Sequence, residues 1–338
     1  MIRTAQSKTL VSPQPRVSQS TLAAVVHVPM HIADASLTQE TRETGVTPFA
    51  EPFLDWAKNI SKQISKKPGF VCLKIDDEGY TNQELRCVYA AIARSLGSLN
   101  HRYGEFFDVK DRGLDHTKES VPVSKTRAST GFHTDSSAAD YCPDVVGLLC
   151  LQQAHSGGES LLADGETLHD WIALYHPEAL SVLTRPLYRD VITPGTNRDC
   201  SAIRKNAFPI FSRTENSFQF RYMRFWIETA YQKLGEPLPQ GLRHAMNLID
   251  SYLLDPNNTY CRMLTRGEIL FVNNRRMCHS RTAFIDSPKQ SQKRTLVRTW
   301  IDDLQEPIDS GALIKSSTKS STTPNSPGNP DFDPALAS

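Results

Sequence analysis

His133-Thr134-Asp135 sets an imidazole and a carboxylate two residues apart, so in extended chain both side chains point the same way. Such a pair can supply half of a metal site. Composition alone produces a His-x-Asp roughly once in two chains of this size, so the pair needs a distant second donor before it means anything. The segment "RGEILFVNNRRMCHSRTAF" (266–284) offers one: a strand ending at Val272, a polar turn, then His279. Further on, "QKRTLVRTWID" (292–302) carries Arg294 and Arg298, four apart and therefore on one face of a strand.

Several elements must bring these residues together. Residues 50–66 read as an amphipathic helix with Leu54, Ala57, Ile60 and Ile64 on one face. "GFVCLKI" (69–75) reads as a buried strand. Thr81 and Glu84 form a capping box ahead of a helix striped with Leu85, Val88, Tyr89, Ile92 and Leu96, which Gly97 ends. Beyond residue 130, short strand-like runs follow at 145–152, 159–163, 208–211, 218–223, 259–264, 268–272 and 295–301, with helices at about 165–175 after Asp164 and about 240–253. Many short strands with non-local pairing predict a mostly β fold with flanking α: a sandwich or jelly roll with the N-terminal helices outside it.

The 338 residues accommodate one large domain, placed at about 23–305 with its jelly-roll core at about 130–303. Residues 1–22 and the Ser/Thr/Pro-rich 306–338 read as disordered tails. A net charge of +1 gives no global field to recruit nucleic acid or an acidic membrane, and no apolar run approaches a membrane span. The seven cysteines form no CxxC pair; Cys72, Cys87, Cys150 and Cys261 sit in apolar runs, which predicts reduced, core-filling thiols and a cytoplasmic location. Residues 1–33 lack Asp and Glu and carry Arg3, Lys8 and Arg16, so an organellar transit peptide is the alternative to a simple tail.

The set His133-x-Asp135, His279 and Arg294 resembles the Fe(II)/2-oxoglutarate oxygenases of the taurine dioxygenase and clavaminate synthase group, over roughly residues 65–303. "HSGGES" (155–160) looks like that family's Gly-Gly-x-Thr segment with Ser160 for Thr, and "NNRRMCHSRTAF" is similar to its Asn-Asn…His-Gly-Arg…Phe signature with Ser280 for Gly. The departure at Ser280 implies a tighter or shifted turn after the distal histidine. The resemblance implies a double-stranded β-helix core. It makes His133, Asp135 and His279 the ligands of Fe(II), leaving three positions open. It also implies that Arg294, with the Ser160 hydroxyl, grips the far carboxylate of 2-oxoglutarate. Such an enzyme uses O2 to couple oxidative decarboxylation of 2-oxoglutarate to succinate with C–H oxidation of a small molecule. With Asp135 present, hydroxylation, desaturation or oxidative ring closure is expected rather than halogenation.

Arg298 is the expected second, substrate-facing cation; Arg221, Tyr222 and Arg224 in "FRYMRFW" (220–226) are further candidates in a region that lies near the family's substrate pocket, and they suit a carboxylate-bearing, amino-acid-like substrate, with a role in specialised metabolism expected by analogy with the family. A guarded strand edge is the bland reading of the same cations. Loops 101–130 and 195–230 are expected to build the pocket, and His101, His116, His155, His169, His176 and His244 to be structural. Two readings compete with the oxygenase: a zinc-dependent hydrolase using the same His/Asp/His set, and a binding module that keeps the residues as relics.

Overall fold

Alternation along the strands decides where the two main cores lie. The computed structural model describes residues 25–37, 51–76, 78–102, 104–113, 126–139, 141–190, 200–289 and 292–304. Seven strands form the large sheet: β1 (Val26–His27), β2 (Phe70–Lys74), β3 (Ser98–Leu99), β4 (Phe107–Val109), β5 (Val145–Gln152), β8 (Glu268–Asn273) and β10 (Thr295–Asp302). Between β5 and β8 in the chain come β6 (Ser160–Asp164) and β7 (Tyr260–Arg262), which with β9 (Met277–Arg281) make a three-stranded sheet in the order β7-β6-β9. The large sheet runs β1-β2-β8-β5-β10-β3, with β4 also on β10; every pairing is antiparallel except β1 with β2.

Odd-numbered residues of β8 and β10 (Ile269, Phe271, Val297, Ile301) face helices α1 (Glu51–Ser65) and α2 (Asn82–Leu96), and bury Ile60, Ile64, Leu85, Val88 and Ile92 against the sheet. Even-numbered residues (Leu270, Val272, Leu296) face the small sheet and share an apolar cluster with Leu162 of β6 and Met277 of β9. Strands covered on both faces read as nearly unbroken apolar runs, which "VVGLLCLQ" and "EILFV" are. A third cluster joins α3 (Gly165–Tyr175), α5 (Gln240–Leu253) and the aromatic residues Phe211, Phe220 and Tyr222. The result is a mixed, sheet-dominated fold with flanking helices.

Local chemistry agrees with several expected boundaries. The Thr81 side chain accepts from Glu84 N at 3.2 Å and Glu84 accepts from Thr81 N at 2.9 Å, closing the capping box. Asp164 caps α3, accepting from Glu166 N at 2.9 Å. Three expectations need correction. In α1 the buried face is Phe53, Ala57, Ile60 and Ile64, with Leu54 only half-buried at its margin. Gly97 ends α2 as expected, at φ 168°, which is ordinary extended backbone; glycine is needed because a Cβ would meet the carbonyl of Asp302. The run 208–211 is split between strands Ala207–Phe208 and Phe211–Arg213, and the expected strand 218–223 stops at Phe220, after which helix α4 (Arg224–Leu234) begins. Finally, Cys261 is exposed and Cys87 half-buried, whereas Cys72 and Cys150 are core residues; burial pushes the Cys72 thiol up to about 11 and Cys150 to about 12, and all seven thiols are free.

The tails expected at 1–22 and 306–338, and His116, lie outside the described residues, as do parts of both expected pocket loops. No described helix is long and apolar enough to cross a membrane.

Candidate metal centre

His133 and His279 meet because their backbones do. His133 N donates to His279 O at 2.9 Å and His279 N to His133 O at 2.8 Å, an isolated antiparallel bridge that ties the segment before β5 to β9. The imidazole centroids stand 4.4 Å apart. His279 lies in the middle of β9, just beyond the turn that follows β8, as the sequence suggested; Ser280 is a regular strand residue, so no altered turn directly follows the distal histidine.

Asp135 follows two residues after His133 and its Oδ1 lies 3.6 Å from His133 Nε2 and 3.4 Å from His279 Nε2. The three donor atoms fall within 4.8 Å of one another. Asn274, fully buried in the turn between β8 and β9, brackets the Asp135 backbone: its Oδ1 accepts from Asp135 N at 2.8 Å and its Nδ2 donates to Asp135 O at 3.1 Å. His133 Nδ1 sits 3.0 Å from Gly131 O, the partner that leaves Nε2 free to ligate.

The electrostatics suit a cation. Burial alone would raise the Asp135 pKa, but Arg298 and the two imidazoles outweigh it and hold the carboxyl well below its usual range. Burial, with the His133 neighbour, lowers His279 and favours the neutral imidazole a metal needs. Asp135 Oδ1 is buried and has no hydrogen-bond partner among the described residues. An orphaned carboxylate oxygen between two imidazoles is expensive unless something positive joins it. The donor set therefore fits a divalent metal, which His133, Asp135 and His279 could hold.

The same cavity, about 70 Å³, runs between the sheets from these residues to Arg294, with Leu148, Leu162, Leu270 and Leu296 among its walls. Arg294 is 4 % exposed, and its Nη1 has no partner among the described residues. Burial pulls its pKa down to about 10. Its guanidinium lies over the Phe284 ring at 5.2 Å. "HSGGES" acquires a physical reason here: Gly158, at φ 86°, passes so close to Arg294 that a Cβ would stand 3.0 Å from Nε. Ser160 lines the cavity beside it. Arg281 also lines it, held by the carbonyls of Thr126 and Ala128, and burial with Arg294 nearby lowers it to about 9.

Arg298 lines the cavity too, as the shared parity with Arg294 implied; its Nη1 is 3.5 Å from Asp135 Oδ2. The other three candidates do not line it. Arg224 is the first residue of α4 and is paired with Glu228 and Asp250 at 2.7 Å each. The Tyr222 hydroxyl donates to Asp250 at 2.5 Å. Arg221 stacks on Phe208 at 3.6 Å and donates to the carbonyl of Ala139. What this stretch does for the site runs through backbone: Thr134 N donates to Tyr222 O at 2.9 Å, and Tyr222 N to Thr134 Oγ1 at 3.1 Å, fixing the residue between the two donors.

One close neighbour was missed. Trp300 Nε1 donates to Asp135 Oδ2 at 2.6 Å. The signal was available, since Trp300 shares its parity with Arg298 on β10 and with Arg294 just ahead of it, but an apolar residue in a strand reads first as core.

The sequence pattern of the taurine catabolism dioxygenase TauD, TfdA family matches residues 37–300. FR-33289 synthase of Streptomyces rubellomurinus is 25% identical over 249 residues, covering 71% of this chain and 71% of that protein. A uridine-5'-phosphate dioxygenase of a Streptomyces species is 27% identical over 195 residues, covering 55% of this chain and 65% of that protein. Among solved structures, asparagine oxygenase in complex with Fe(II), 3-hydroxyasparagine and succinate superposes with a TM-score of 0.59 at 17% identity, over 82% of this chain and 92% of that one. A match to a dioxygenase family over most of the chain decides against the zinc hydrolase and the relic binding module. The chain belongs to the TauD/TfdA family and is an Fe(II)- and 2-oxoglutarate-dependent dioxygenase.

Proposed function

We propose that His133 Nε2, His279 Nε2 and Asp135 Oδ1 hold Fe(II), that Arg294 and Ser160 take the far carboxylate of 2-oxoglutarate, and that the enzyme oxidises a C–H bond of a small, carboxylate-bearing, amino-acid-like substrate. Bound there, iron supplies the dioxygen activation that couples decarboxylation of 2-oxoglutarate to succinate with substrate oxidation. The residues do the rest. Asp135 cancels one of the two metal charges. The neutral His279 keeps a lone pair available. Arg294, rigid and desolvated, fixes one end of the dicarboxylate so that the other end reaches the metal corner. Leu148, Leu270 and Leu296 keep water from the space between.

The observation that carries this reading is the pairing of two orphans in one cavity: the buried Asp135 Oδ1 and the buried Arg294 Nη1. One calls for a cation, the other for an anion, and an Fe(II)–2-oxoglutarate unit meets both. For the substrate, Arg298 is a cation beside the metal corner, 3.5 Å from Asp135 Oδ2, and the hydroxylated amino acid in asparagine oxygenase supports an amino-acid-like ligand. Hydroxylation, desaturation and ring closure all suit an intact Asp135; the biosynthetic name of FR-33289 synthase supports a role in specialised metabolism. The apolar cluster shared by the two sheets supports a double-stranded β-helix, within a single domain at about 23–305.

The test is to load the protein with Fe(II) under nitrogen, admit O2 with 2-oxoglutarate, and measure succinate over a panel of amino acids. Succinate formation stimulated by one amino-acid class, with an oxidised product of that amino acid, is expected. Stimulation only by compounds lacking a carboxylate would overturn the substrate reading.

A further inference from the structure

Asp135 presents two oxygens, and the structure treats them differently. Oδ1 faces both imidazoles and has no hydrogen bond among the described residues. Oδ2 points away and accepts the indole N–H of Trp300 at 2.6 Å; Arg298 Nη1 is more distant at 3.5 Å. An indole N–H donates only, and it does not titrate. The ring is fixed as well: Trp300 is 5 % exposed on β10, packed with Val146, and the strand is held by β5 through seven residue pairs from Thr295 to Ile301.

Coordination geometry makes the difference matter. A carboxylate can bind a metal through one oxygen or two. Two histidines and a one-oxygen carboxylate leave three positions on an octahedral ion. A keto acid bound through carboxylate and keto oxygen takes two, and dioxygen needs the third. A second Asp135 oxygen would take it instead. Resting on the metal reading above, we infer that Trp300 is a positioning residue: its indole N–H occupies Asp135 Oδ2, so the carboxylate meets iron through Oδ1 alone and three positions stay open. The division of labour with Arg298 follows. Trp300 makes the short bond, so Arg298 can turn toward a substrate without releasing the ligand.

The test is Trp300→Phe, which removes the donor and keeps an aromatic ring against Val146. Mn(II) serves as a redox-silent probe, its unbound form read by electron paramagnetic resonance. The expected Mn(II) dissociation constant is about 10- to 100-fold weaker than wild type, the usual range for loss of a ligand's hydrogen-bond partner. At saturating Mn(II), 2-oxoglutarate should also bind at least about fivefold more weakly, because the freed oxygen competes with it, an effect that packing loss alone does not produce. Tyr141→Phe is the control: Tyr141 lies beside Trp300, ring centroids 6.4 Å apart, but donates to Asp302, and its loss should leave both constants within twofold. Should Trp300→Phe fail to fold, the wild-type indole N–H reports instead. Assigned by substituting the other three tryptophans, it should resist hydrogen exchange with and without Zn(II); exchange on metal loading overturns the inference. A Trp300→Phe protein that binds Mn(II), or 2-oxoglutarate at saturating Mn(II), within twofold of wild type overturns it too. Wild-type protein that binds no Mn(II) overturns the inference together with the metal reading, whereas equal binding by wild type and variant overturns the inference alone.

Discussion

Arg294 and Arg224 both stand at the N-terminal edge of an element, one ahead of β10 and the other opening α4. Both are long cations beside apolar runs, and the sequence marks both as possible anion receptors. Arg224 satisfies itself. Its donors go to Glu228, Asn247 and Asp250, all at 2.7–2.8 Å, and it keeps 27% of its side chain in contact with solvent. Arg294 is 4 % exposed, and its Nη1 points at no partner among the described residues. The first arrangement is complete as it stands; the second is stable only because the rest of the fold holds a desolvated charge in place. On the proposed reading, what separates a binding cation from a structural one is the partner withheld, not the residue type.

The largest expected contrast between the two regions concerns metal. His279→Ala should weaken Fe(II) binding by more than about a hundredfold, beyond the range for outer partners. Arg224→Ala should leave it within twofold. Anaerobic competition with a ferrous chelator measures both, and an unchanged constant in His279→Ala would remove the metal centre altogether.

Next comes the cosubstrate. Arg294→Ala should raise the apparent KM for 2-oxoglutarate well over tenfold, since a lost charge-assisted pair costs about 1.5–3 kcal/mol. Succinate formation against 2-oxoglutarate concentration gives the value, and an unchanged KM would take Arg294 out of the site.

The same contrast shows what could be read from the sequence. Arg294 and Arg298 were legible because a strand has a period of two: Arg294, just ahead of β10, then Leu296, Arg298 and Trp300 alternate with Val297, Thr299 and Ile301, which the helices or Glu105 meet on the other side. The 220–226 stretch misled because Phe, Tyr and Trp carry high strand propensity. Its helix is recognisable only from Ile227, Ala230 and Tyr231, buried at helical spacing, while Phe225 at 55% exposure breaks the pattern. Local signals such as the Thr81 box and the Asp164 cap translate directly, because their partners lie within three residues. The order β1-β2-β8-β5-β10-β3 does not, since every one of those pairings is settled by contacts far apart in the chain. Asn274 is the intermediate case: "NNRR" drew notice as a motif, yet its task of bracketing Asp135 depends on a segment well over a hundred residues away.

A smaller effect separates stability from binding. Arg294→Met replaces a buried guanidinium, whose Nη1 has no partner among the described residues, by an apolar side chain of similar length. The burial penalty on that charge applies at every pH below about 10. Above that, the native state releases the proton before the unfolded chain does, so this contribution to stability rises with pH. At neutral pH the apo variant should therefore melt higher than wild type, by on the order of 2–4 °C for about 1 kcal/mol. It should also lose the further rise that metal plus 2-oxoglutarate confers on wild type. A variant that melts lower would mean that Arg294 has an internal partner after all, and would erase the distinction from Arg224.

The smallest expected effect is at Arg224 itself. Its ion pairs are partly exposed and screened, so Arg224→Ala should cost no more than about 1 kcal/mol. Asp250 would still accept the Tyr222 hydroxyl at 2.5 Å, so the substitution leaves no buried carboxylate without a donor, and Tyr222 N would still bind Thr134 between the two metal donors. Urea unfolding should show the small loss, and succinate kinetics should show KM values for 2-oxoglutarate and for substrate within twofold of wild type. A substrate KM raised tenfold with the 2-oxoglutarate KM unchanged would mean that Arg224 leaves Glu228 and Asp250 to meet the substrate, and the region now described as self-satisfied would join the site.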